Sequence, residues 1–143
     1  MSQLERNLKV LGITMLLGAI FDWVTATLIF FWPGQAGTFL GLPVSGNQMT
    51  LRLCGLLLAF PALFYLMAFG DTKRNVVIVT VATVVRACLG GFFLLHVLFR
   101  LASNVWLAIG LINVGFAATH LTFFKLSDFD FWPILRRAGN PPL

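Results

Sequence analysis

The stretch VVIVTVATVVRACLGGFFLLHVLF, residues 76–99, decides the fold. It is an unbroken apolar run, and a helix needs about 20 such residues to cross a bilayer. A membrane strand would be about 9–11 residues long and would alternate in polarity, which this run does not. Open backbone cannot face lipid, so the segment must satisfy its own hydrogen bonds as a helix. A single charge, Arg86, stands inside it.

Three similar runs accompany it, at 9–32, 49–69 and 105–124. The first also holds one internal charge, Asp22. Its apolar stretch far exceeds the h-region of a signal peptide, about 7–15 residues, so it reads as a retained helix. Composition agrees: 59% of the 143 residues are hydrophobic and 10% are charged. A soluble domain carries about 25% charged residues, too many for this chain to match, so lipid must be its main solvent. The expected architecture is one membrane domain, an antiparallel four-transmembrane-helix bundle, all-α throughout.

Lysine and arginine set the expected orientation. One end of the bundle carries Arg6, Lys9, Lys73, Arg74, Lys125, Arg136 and Arg137, and the other only Arg52 and Arg100. That asymmetry predicts both termini in the cytoplasm of a bacterial inner membrane. Phe31, Trp32, Trp106 and Trp132 fall at headgroup depth. The basic residues are scattered over span ends and form no aromatic-interleaved stripe, which excludes a nucleic-acid role. The connection 33–48 (PGQAGTFLGLPVSGNQ) is expected to turn back over the bundle, as packing or as a lid. The segment 125–143 is expected to form an interfacial cytoplasmic tail.

Residues three or four apart share a helix face. On that rule Gly18, Asp22 and Ala26 align in the first span, and Ala82, Arg86 and Gly90 in the third. Arg52, Gly55, Ala59, Ala62 and Tyr65 align in the second, and Gly110, Asn113, Ala117 and His120 in the fourth. Small residues let membrane helices approach, and polar ones turn inward. At about 1.5 Å per residue from the outer ends, Asp22 lies about 15 Å deep, Arg86 about 20 Å and Asn113 about 12 Å. These depths predict a midplane cluster of Asp22, Arg86 and Asn113. Arg52, about 5 Å deep, competes for Asp22. The pair is either a structural ion pair or part of a ligand or proton site.

Asp22, Tyr65 and His120 are the candidate ligand-binding residues. His96 and His120 are candidate haem or pigment ligands, but only singly: they lie about 5 Å and about 22 Å from the outer end and cannot share one iron. Cys54 and Cys88 have no metal-binding spacing, and no metal site or other cofactor is expected. No nucleophile, phosphate-loop or zinc-protease motif occurs.

The length, the four spans, the polar residue in the first and the Arg52-Leu53-Cys54-Gly55 opening of the second resemble the small bacterial four-helix membrane proteins of the DoxX-like and BphX-like families. The resemblance implies an integral protein that works with partners, often in redox or stress settings, and transfers no catalytic residue. A weaker similarity is to the sterol-isomerase and sigma-2 receptor group, whose membrane carboxylates bind amine or sterol ligands. Asp22 alone matches there, with no partner carboxylate.

Three functions follow. The first is a non-enzymatic accessory subunit of a larger bioenergetic inner-membrane complex, partnered by lipid and by other membrane subunits or a second copy. The second is a binder or carrier of small hydrophobic ligands with Asp22 in its cavity. The third is a single-histidine haem or pigment binder.

Overall fold

The computed structural model describes residues 2–42 and 48–127. The chain forms α1 (Gln3–Phe31), α2 (Pro33–Leu40), α3 (Gln48–Gly70), α4 (Val76–Leu98) and α5 (Val105–Leu126). All but α2 are long and apolar enough to cross a membrane. Trp132, Arg136, Arg137 and the rest of the tail from Asp128 onward lie outside the described residues, as do residues 43–47 of the first connection.

Helix α1 begins two turns before the apolar run that predicts it. Ser2 and Glu5 form a capping box, in which Ser2 Oγ accepts from the Glu5 amide and the Glu5 carboxylate accepts from the Ser2 amide. These bonds satisfy amide donors that a helix start leaves unpaired, so the helix extends into polar sequence. At the other end of α3, Asn75 Nδ2 donates to the Met67 and Asp71 carbonyls. That closes the turn into α4.

The connection after α1 is half helix. Pro33 opens α2 at a position where its missing N–H costs nothing, and Gly41, at φ +70°, ends it in the left-handed conformation. Pro33, Gly37 and Leu40, spaced on one face, are buried. The Leu40 carbonyl accepts from Ser103 Oγ at 3.1 Å and Trp106 Nε1 at 2.8 Å. Helix α2 is thereby tied to the start of α5, across that end of the bundle. Trp106 is read from sequence as a headgroup anchor, yet its indole N–H is spent on this tie.

Helices α1 and α3 run antiparallel in close contact. A Cβ on Gly55 would sit 2.9 Å from the Ala26 carbonyl and 3.0 Å from the Phe30 amide, so only glycine permits that approach. Helices α4 and α5 meet likewise, where a Cβ on Gly90 would lie 3.0 Å from the Gly110 carbonyl. Asn7 Nδ2 donates to the Leu126 carbonyl at 2.7 Å, joining the start of α1 to the end of α5.

The hydrophobic core fills one half of this bundle. Leu11, Met15 and Ala19 of α1 pack with Ala62, Tyr65 and Ala68 of α3, Val79 and Ala82 of α4, and Phe124 of α5. By the antiparallel order these all lie towards the N-terminal end of α1. The half nearer α2 is organised differently.

Candidate functional site

The site is built around Arg86, which is only 2% exposed. Its Nη2 donates to Asp22 Oδ2 at 2.9 Å and to the Gly18 carbonyl at 3.2 Å, and its Nη1 donates to Asn113 Oδ1 at 3.0 Å. Three helices thus converge on one guanidinium. The faces of the guanidinium are covered as well, by the Tyr65 ring at 4.9 Å and the Phe116 ring at 4.7 Å. Arginine suits such a place because its charge is permanent and its planar fork both hydrogen-bonds and stacks. Gly18 makes room for it, since a Cβ there would lie 2.9 Å from Nη2.

Each partner is held in turn. Asn113 Nδ2 donates to the Ile109 carbonyl at 2.9 Å, which fixes the amide with its oxygen towards Arg86. Asp22 is 6% exposed, and its Oδ2 takes the arginine hydrogen bond. Its Oδ1 accepts from no group among the described residues, and it is not enclosed by protein. That oxygen borders a cavity.

The cavity is about 570 Å³, within the usual range for small-molecule sites. It runs from beneath α2 down to Asp22, Arg86 and Asn113, and all five helices line it. Its walls are apolar: Leu58 and Pro61 on α3, Leu89 and Phe93 on α4, and Ile109 on α5. Gln35, Ala36 and Phe39 of α2 form its roof beside Trp32 and Trp106. Cys54 of α3 and Val85 and Leu89 of α4 line the cavity and are exposed, as are Leu28 of α1 and Gln35 and Phe39 of α2.

The structure brings Asp22, Arg86, Asn113 and Tyr65 together and leaves three sequence candidates apart. Arg52 is exposed and forms no ion pair among the described residues; Arg86 takes Asp22 instead. His120 does not line the cavity. It is 1% exposed, and both ring nitrogens are enclosed without a partner among the described residues. An imidazole so enclosed offers no nitrogen to a ligand the size of a haem. His96 is half-buried, stacks on Phe92 at 3.9 Å, and has Nδ1 2.9 Å from the Phe92 carbonyl. Among the described residues no group of three or more metal-binding side chains occurs.

The lining residues Thr25, Gln35 and Phe39 are absent from the sequence candidates. One signal pointed to the last two: Pro33, Gly37 and Leu40 recur at helical spacing, which places Gln35, Ala36 and Phe39 on α2. No family model matches this chain, and no curated protein or solved structure does.

Proposed function

We propose that the protein is a membrane binder or carrier of small hydrophobic molecules. The observation that supports this is the apolar cavity that runs from α2 to an unpartnered oxygen of Asp22. Apolar walls with a few polar groups at one end are the usual form of a ligand site. We infer that such a molecule enters from the bilayer between α3 and α4, where the exposed residues Cys54, Val85 and Leu89 line the cavity. The reading as an accessory subunit of a larger inner-membrane complex rests on the exposed apolar outer faces, which lipid also accounts for.

The test is saturable photolabelling in native membranes with a long-chain diazirine probe. Labels on Leu58, Leu89 and Phe93 should disappear when an excess of the non-photoreactive analogue is added, while labels on outward residues such as Leu66 and Leu111 persist. Labelling of the cavity residues that no excess can displace would sink the proposal. Co-purification of stoichiometric partner subunits, with no saturable labelling, would favour the subunit reading.

We also place both termini in the cytoplasm. Arg6, Lys9, Lys73, Arg74 and Lys125 gather at one end of the bundle, and Arg52 and Arg100 at the other. A Lys73→Cys variant should react with an impermeant thiol reagent only from the cytoplasmic side, and an Arg100→Cys variant only from the other.

A further inference from the structure

We infer that the cavity selects a neutral amphiphile with a hydrogen-bond-donating end, an alcohol or a phenol, over charged amphiphiles. The inference deepens the binder reading and rests on it.

The first argument is charge. Among the described residues Asp22 and Arg86 are the only charged ones lining the cavity, and they cancel each other at 2.9 Å. Any ion added beside them would be an uncompensated charge at membrane depth, which is costly. A neutral head avoids that cost.

The second argument is the inventory of polar groups. Arg86 Nη1 and Nη2 are committed to Asn113, Gly18 and Asp22, and Nε is enclosed by protein. Of the five guanidinium N–H groups, this leaves a single one, on Nη1, for an incoming acceptor. Asn113 is satisfied on both its oxygen and its nitrogen. Thr25, one turn above Asp22 and also in the lining, has spent its hydroxyl proton on the Phe21 carbonyl at 2.8 Å. Near Asp22 the groups left for a ligand are two acceptors, Asp22 Oδ1 and the Thr25 oxygen, and the Tyr65 hydroxyl, which can donate or accept; Gln35 offers its amide only at the α2 end. An alcohol can donate to the carboxylate, and an ether cannot. About 15 Å of α1 separates Asp22 from Trp32, and that length is free for an apolar body.

The same photolabelling assay tests this, with competitors of one chain length compared at equal mole fraction in the membrane. The heads are an alcohol, its methyl ether, a trimethylammonium and a sulfonate; the last two cannot neutralise themselves. A hydrogen bond to a charged acceptor corresponds to a factor of about ten to a hundred. The alcohol should therefore displace the probe at least about tenfold better than the ether, and both ions should compete worse than the ether. Equal competition by alcohol and ether, or better competition by either ion, overturns the inference and leaves the binder reading intact. Loss of all saturable labelling overturns both. The double variant Asp22→Leu/Arg86→Met removes both charges together. It should keep saturable labelling, and the alcohol's advantage over the ether should shrink, because only the neutral oxygens of Thr25 and Tyr65 still accept; an undiminished alcohol preference would show that Asp22 does not read the head group.

Discussion

The two halves of the bundle use the same four helices and similar small-residue stripes, yet one is solid and the other hollow. In the half nearer the N-terminal end of α1, large side chains meet at the centre: Leu11, Met15 and Phe124 are buried between the helix pairs. In the half nearer α2, Gly55 and Gly90 draw helices together only within the pairs α1/α3 and α4/α5. Leu58, Leu89 and Ile109 point to the centre and leave the space between pairs open. Small residues therefore determine which helices touch, and large ones determine whether the middle is filled. Arg86 lies at the boundary, where it ties α4 to α1 and α5 across that space.

The largest effect should come from breaking that boundary. Arg86→Met leaves a buried carboxylate unpaired, and Asp22→Asn leaves a buried guanidinium. Each should destabilise by roughly 3–5 kcal/mol. The double variant Asp22→Leu/Arg86→Met removes both charges and should recover most of the loss, because the pair's desolvation cost goes with it. Equilibrium unfolding in mixed micelles measures all three. A double variant as unstable as the sum of the singles would mean that the two side chains are not energetically coupled.

Truncations should separate the halves next. Leu11, with no exposed surface, lies in the solid half, and Leu11→Ala should cost roughly 2–5 kcal/mol through lost contacts and the void left behind. Leu58→Ala enlarges a cavity that already exists and should cost less than about 1.5 kcal/mol. Equal losses would erase the distinction between the halves. Enlargement should give the mirror image. Ala62→Leu overpacks the solid half and should cost about 1–3 kcal/mol. Leu89→Trp has room to grow, so it should leave unfolding nearly unchanged while abolishing saturable photolabelling.

This contrast was only partly legible in the sequence. Long apolar runs fixed the four helices, because nothing else satisfies a backbone in lipid. Helical spacing put Gly18, Asp22, Arg86 and Asn113 inward, and depths of about 15, 20 and 12 Å put Asp22, Arg86 and Asn113 within one long side chain of a common level. Depth alone could not choose between Arg86 and Arg52, since both reach Asp22 along the axis. In the structure Arg86 takes Asp22 at 2.9 Å, and Arg52 is exposed with no ion pair among the described residues. The hollow was not legible, because a void is a relation between side chains on separate helices and has no spacing of its own. His120 shows the same limit: its burial follows from its spacing, but spacing does not tell that Asn113 of the same row lines the cavity and His120 does not.

The smallest expected effect is at the far end of α4, where the hollow half is closed by a turn. Leu101 N–H donates to the His96 carbonyl at 2.8 Å and Arg100 N–H to the Val97 carbonyl at 3.0 Å. That pairing ends a helix with one residue left-handed, and the residue is Arg100, at φ 58°. A side chain with a Cβ is disfavoured there and glycine is not. Arg100→Gly should therefore stabilise the bundle by about 1 kcal/mol relative to Arg100→Ala, which removes the same charge and keeps the strain. Comparing the two in the same unfolding assay isolates the backbone contribution. Equal stability of the glycine and alanine variants would show that the turn opens at no cost and does not hold the hollow end closed.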